Sequence, residues 1–205
     1  MAGPAADLSV DALRTRITTV LGRGRHGLAL GDRIRAAVLV LFVYRDGVPT
    51  LVFGKKTEDV PHHKGQFSFP GGVVQLSDGS VVEAALREAR EEIGLEQSAV
   101  EILGLFDDMR TTVTNFVITP VLGLARGEPI FRPDGREIER VIEIPLAYLL
   151  QPDAFRVEQW EREGVQRPVV FVNYGDDVVW GTTGRILCEL LGAIFPETPA
   201  VGRVG

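Results

Sequence analysis

Between Ser80 and Gly94 the chain carries a helix with both ends written into it. Ser80-Val81-Val82-Glu83 has the form of a capping box, in which the serine side chain satisfies a free backbone N–H and the glutamate reaches back. Gly94 stands where a helix stops, because glycine adopts the left-handed conformation at little cost. Between these limits Val82, Leu86, Ala89 and Ile93 recur at helical spacing and are expected to pack on a sheet. Glu88, Glu91 and Glu92, at i, i+3 and i+4, fall within about 100° of the helix circumference, beside that stripe. Crowded carboxylates repel one another, and a hard divalent cation among them removes the repulsion. A solvated charged face, with Arg87 and Arg90 holding the acids, is the plainer alternative. The turn Phe69-Pro70-Gly71-Gly72, placed ahead of the helix, favours the cation. Glycines let backbone approach a metal or a phosphate closely, and a carbonyl of Gly71 or Gly72 can add an oxygen ligand.

The flanking segments say what this helix packs on. Leu8 to Leu21 reads as an amphipathic helix, and Gly22 to Gly31 as a Gly/Arg-rich connector. Ala36 to Tyr44 reads as a buried strand that turns at Asp46-Gly47 and returns through Thr50 to Phe53. Asp59 to Gly72 reads as loop. Strands are expected at Val100 to Phe106, Phe116 to Leu124 and Glu137 to Ile144, and a short helix at Pro145 to Leu150. A hairpin follows from Pro168 to Trp180, then a closing helix from Thr182 to Phe195. Strands and helices without regular alternation predict one α/β domain with a mixed sheet. In this reading residues 1–31 form an N-terminal helix and connector packed on a domain that spans residues 32–205. With 205 residues, 45% of them hydrophobic, the chain has enough apolar surface for such a core.

Charge and cysteine count exclude several roles. A net charge of −6 argues against a nucleic-acid surface but leaves room for phosphate substrates, because a metal supplies local positive charge. Cys188 is the single cysteine, so no intrachain disulfide forms, which fits a cytoplasmic protein. The longest apolar run, Ala36 to Tyr44, is too short to cross a bilayer, so no membrane partner is expected. A homodimer is compatible with the sequence, which does not specify an oligomeric state.

Gly72-x5-Asp78-x8-Arg87-Glu88-x2-Glu91-Glu92-x-Gly94-Leu95 resembles the Nudix box of the Nudix hydrolases. The resemblance implies an α/β/α sandwich with a mixed sheet, a Mg²⁺ or Mn²⁺ cofactor, and hydrolysis of a nucleoside diphosphate linked to another moiety. It implies that Glu88, Glu91 and Glu92 carry the metal chemistry, that Arg87 orients one of them, and that Glu137 is a further functional acid on a later strand. Ligand and general base are both roles of a carboxylate, and the sequence does not separate them. Asp78 replaces the family's first glutamate, and one extra residue separates it from Arg87. Both features resemble the coenzyme A pyrophosphatase subgroup, as does His63-Lys64-Gly65-Gln66 ahead of Phe69-Pro70-Gly71-Gly72. The similarity extends through Arg35 to Tyr44, Ile118 to Val121, Pro145-Leu146 and Trp180 to Thr182.

This resemblance implies cleavage of coenzyme A or its derivatives to 3′,5′-ADP and 4′-phosphopantetheine. The subgroup's Thr-x-Arg-Ser/Ala segment reads Gly54-Lys55-Lys56-Thr57 here, and Pro61 stands where a second arginine is usual. Lys56 is a point charge where arginine would offer a planar fork. ADP-ribose, a dinucleotide or a nucleoside triphosphate therefore stay open as substrates, as does a catalytically silent nucleotide-binding module. Lys56, His63, Lys64 and Gln66 are the expected substrate contacts. Cys188 is expected to be buried and inert, Asp107-Asp108 to serve a turn, Trp180 to pack in the core, and Trp160 or Trp180 to offer a face to an adenine.

Overall fold

The computed structural model describes residues 6–59, 64–111, 114–162 and 164–198. The strand β1, Ile34–Arg45, runs through the centre of the molecule, and its side chains alternate between two cores. Ala37, Leu39, Leu41 and Val43 face one side, and Val40 and Phe42 the other. Such a strand needs cover on both faces.

One face is covered by helix α2, Val81–Ile93, through Ala84, Ala85, Ala89 and Ile93. The opposite face is covered by α1, Val10–Leu21, through Leu13 and Ile17, and by α4, Gly181–Ile194, through Ile186, Leu187, Leu190 and Leu191. A short helix α3, Leu146–Leu149, joins that second core. The result is the α/β/α sandwich implied by the sequence.

Among the described residues, eight strands form the main sheet, ordered β3-β2-β1-β7-β5 along its path. Here β2 is Val48–Lys56, β3 Phe67–Ser68, β5 Val100–Leu105 and β7 Phe116–Ala125. Strand β7 runs parallel to β1, and the other pairs are antiparallel, so the sheet is mixed. Three strands leave this path: β4, Gly71–Val73, pairs with β1; β6, Met109–Arg110, with β7; and β8, Ile138–Pro145, with β2. A separate antiparallel sheet joins β9, Phe155–Arg162, β10, Val165–Tyr174, and β11, Asp177–Trp180. No helix among the described residues is long and apolar enough to cross a membrane.

The stretch expected to be loop from Asp59 to Gly72 contains two short strands. Gly71 and Gly72 of β4 pair with Val38 and Ala37 of β1, which seats the Gly-Gly pair on the sheet directly beside α2. Strand β9 carries almost no buried face, so no periodicity announces it. Asp108 does more than shape a turn. Its fully buried carboxylate accepts hydrogen bonds from Arg25, from Arg35 (2.7 Å), from the Leu28 N–H (2.9 Å) and from the Thr119 hydroxyl (2.6 Å). The Gly/Arg-rich connector is thereby tied to the domain.

Candidate active site

The local geometry of α2 follows its sequence. Ser80 Oγ accepts from the Glu83 N–H at 3.1 Å, and Gly94 closes the helix in the left-handed conformation at φ 67°. Glu83 reaches one residue further back than expected and accepts from the Gly79 N–H. Small residues at Ala85 and Ala89 bring the helix close to the sheet, while Val82 and Leu86 are only half-buried.

That close approach divides the three carboxylates. Glu92 is buried, and both its oxygens are engaged: Oε1 with Lys56 Nζ at 3.0 Å, and Oε2 with the Gly71 N–H at 2.9 Å. Burial pushes its pKa up, and the Lys56 charge and the Gly71 N–H partly counter this. Glu88 is half-buried and lies against Gly72, where an added Cβ would meet Oε1 at 2.5 Å. Its pKa is also raised, mainly by burial, with Arg87 opposing and Glu91 and Glu137 adding repulsion. The Glu91 side chain is 60% exposed.

Arg87 ties this group together. It donates to both oxygens of Asp78 (2.9 and 3.0 Å), to Glu88 (2.8 Å), to Glu91 (3.2 Å) and to the Val73 carbonyl (3.1 Å). These bonds hold the Asp78 carboxyl below its ordinary range. Arg90, expected to share that task, makes no carboxylate pair among the described residues. It points outward and is exposed.

Glu137 precedes β8 and approaches Lys56 Nζ at 3.7 Å. It is set there by Asp134, which the sequence reading missed. The Asp134 carboxylate accepts from the N–H groups of Arg136, Glu137 and Ile138, and its own N–H donates to the Glu92 carbonyl. The signal was an Asp-Gly turn just before the strand.

A cavity of about 320 Å³ opens beside these groups and is walled by Lys56, Gln66, Ser68, Gly71 and Gly72. Of the expected substrate contacts, Lys56 and Gln66 line it, whereas Lys64 is exposed and is absent from its wall. His63 lies outside the described residues. Cys188 is buried in α4, away from this wall. Trp180 lines the cavity together with Trp160, which is 44% exposed, and their ring centroids are 5.6 Å apart.

Among the described residues no three His, Cys, Asp or Glu side chains converge into a preformed metal cage. The chemistry of the donors still suits a hard divalent ion. Glu88, Glu91, Glu92, Glu137 and the Gly72 carbonyl offer oxygen only. Glu88 is a half-buried carboxylate whose one cationic partner among the described residues, Arg87, is shared among three carboxylates.

The NUDIX domain family model matches residues 33–166, which include β1, the Gly-Gly strand, α2 and Glu137. A relative from Enterobacter sp. (strain 638), "Uncharacterized Nudix hydrolase NudL", is 33% identical over 184 residues, covering 90% of this chain and 94% of the relative. Its namesake from Salmonella paratyphi B is 36% identical over 156 residues, 76% of this chain and 81% of the relative. The MutT/nudix family protein from Enterococcus faecalis shares the fold at TM-score 0.54 and 17% identity, over 91% of this chain and 72% of that one. The matched region contains every element that builds the acidic site, and the chain belongs to the Nudix hydrolases.

Proposed function

We propose that this Nudix hydrolase cleaves the diphosphate of coenzyme A or its derivatives to 3′,5′-ADP and 4′-phosphopantetheine, with Mg²⁺ or Mn²⁺, in the cytoplasm. The observation that carries the reading is the Arg87-held Glu88 carboxylate lying on Gly72 at the edge of a cavity lined by cations and aromatic rings. The extra residue before Arg87 and the Gln66 segment at the cavity wall support the substrate. A divalent cation supplies charge neutralisation at the anhydride oxygens and acidifies water.

The chain's own residues do the rest. Glu88, Glu91 and Glu92, with Glu137 and the Gly72 carbonyl, are the oxygen set for the cation. Arg87 fixes the direction of Glu88. Lys56 and Gln66, from the wall, meet the phosphate or its neighbours, and Lys64 attracts the anion from outside.

A second reading keeps the chemistry and changes the substrate to ADP-ribose, a dinucleotide or a nucleoside triphosphate. It rests on Lys56, whose ammonium is turned to Glu92 and Glu137. Incubation with coenzyme A, acyl-coenzyme A, ADP-ribose, NADH and dNTPs, each with Mg²⁺ or Mn²⁺, separates the two when products are read by mass. 3′,5′-ADP from coenzyme A is the expected result. Turnover of another compound without it would transfer the assignment.

A further inference from the structure

The wall of the cavity beyond the Gly-Gly strand has a composition of its own. Besides Lys56, its described residues include Arg110, Arg162, Arg167 and Arg185, and no carboxylate. A chain of net charge −6 has concentrated cations there. Arg110 comes from β6, Arg162 and Arg167 from β9 and β10, and Arg185 from α4. None of these elements carries a glutamate of α2. Arg185 pairs with Glu189 at 2.7 Å, whereas neither Arg110 nor Arg167 has a carboxylate partner among the described residues.

The same wall presents flat apolar surface. Arg167 stands directly opposite Trp160 across the β9–β10 ladder, so the two side chains share one face of that sheet. The Trp160 ring centroid lies 5.6 Å from that of Trp180 and 5.7 Å from that of Phe171, both rings tilted to it, and 44% of Trp160 is exposed. Ser68 Oγ, buried in the same wall, has no hydrogen-bond partner among the described residues. A cavity of about 320 Å³ falls in the range typical of small-molecule sites, about 300–1,000 Å³.

We propose that this wall is a specificity subsite for the part of the substrate beyond the scissile diphosphate. The ligand class is a nucleotide that carries a phosphate monoester apart from its diphosphate. Trp160 stacks on the base, and Arg167 with Arg110 neutralises the monoester. The inference rests on the proposed pyrophosphohydrolase reading for the location of the diphosphate at the Glu88 end. The subsite itself needs no turnover to be observed.

The test is a titration of the metal-free protein with adenosine 3′,5′-bisphosphate and with AMP, followed by tryptophan fluorescence. The bisphosphate should bind at least tenfold more tightly and quench emission. Arg167→Gln, an exposed position whose change spares the fold, should remove most of that preference, and Trp160→Phe most of the quench. Equal affinity for the two nucleotides, or an undiminished preference in Arg167→Gln, overturns the subsite. Turnover gives an independent arm: the kcat/KM ratio of coenzyme A over dephospho-coenzyme A should fall about tenfold in Arg167→Gln. Tight bisphosphate binding without cleavage of coenzyme A would sink the proposed substrate and leave the subsite standing. Cleavage with a ratio unchanged by Arg167→Gln would do the reverse.

Discussion

Lys56 Nζ and Glu92 Oε1 form an ion pair at 3.0 Å, with 17% and 4% of the two side chains exposed. It joins the end of β2 to the last turn of α2, and the second Glu92 oxygen binds the Gly71 N–H. One glutamate thus connects the strand, the Gly-Gly turn and the helix that carries Glu88. Lysine here supplies an internal cation to the carboxylate group. Together with Arg87 on Glu88 and Glu91, it explains how three clustered acids are tolerated without a metal.

Replacing Lys56 by Met keeps the aliphatic stem and removes the charge. Glu92 would then be a buried anion held by one N–H, and breaking a buried pair from one side costs about 3 kcal/mol. For a chain of this size that is a fall in Tm of about 6–12 °C. Mg²⁺ or Mn²⁺ should restore more of the Tm in Lys56→Met than in the parent protein, because the cation takes the place of the missing ammonium. Calorimetric scans with and without metal check both outcomes; equal metal effects in the two proteins would separate Glu92 from the metal.

The two turn glycines should fail in different ways. A Cβ at Gly71 would lie 2.3 Å from the Ala37 carbonyl oxygen and 2.6 Å from Val38 Cα, in backbone that cannot move without breaking the β1–β4 ladder. Gly71→Ala should therefore cost stability, about 1–3 kcal/mol or more. The three atoms nearest a Cβ at Gly72 all belong to the Glu88 carboxylate, the first at 2.5 Å. Gly72→Ala should keep most of its stability and lose turnover at least tenfold, as the carboxylate swings aside. Denaturant melts and steady-state rates on both variants separate the cases.

What could be read from the sequence was local. The caps at Ser80 and Gly94 and the helix between them follow from neighbours within one or two turns. Strand β1 announced itself through nine consecutive apolar or aromatic residues, Ala36 to Tyr44. Strands β3 and β4 did not, because two- and three-residue ladders are dictated by the partner strand. Strand β9 has a burial pattern with hardly an inward residue, so no period-2 signal exists to find. Lys56 lines the cavity, and its pairing with Glu92 comes from a helix–sheet contact that spacing alone does not encode. Asp108 looked like a turn residue because its partners Arg25 and Arg35 lie more than seventy positions away.

Asp108 gives the protein a defined weakness to acid. Burial works to raise its pKa, but bonds from Thr119, the Leu28 N–H, Arg35 and Arg25 prevail and lower it from 3.8 to about 2. A depressed carboxylate contributes stability above its unfolded pKa and loses it as pH falls through the folded value. The contribution, about 2 kcal/mol at neutral pH, should disappear between about pH 4 and pH 2. Asp108→Asn should be less stable than the parent at pH 7, and the gap should close toward pH 2. Urea melts at a series of pH values measure this, and a gap that stays constant with pH would contradict the assignment.

Arg87 is the residue whose geometry should matter more than its charge. Its Nε and Nη2 bind the two oxygens of Asp78 as a fork, which leaves Nη1 aimed at Glu88 and Glu91. A lysine supplies the charge but cannot keep a bidentate grip on Asp78 while holding Glu88. Glu88 would then be free to rotate off Gly72. Arg87→Lys should lower kcat by ten- to a hundredfold, about 1.4–2.8 kcal/mol of transition-state stabilisation, with KM nearly unchanged, because the substrate cations stand elsewhere on the wall. Asp78→Asn weakens the same fork from its other end and should shift kcat in the same direction by a smaller factor. The double variant should then lose less than the product of the two single losses, since both disturb one positioning unit. Steady-state rates on the four proteins test this, and fully multiplicative losses would show that Asp78 and Arg87 act separately.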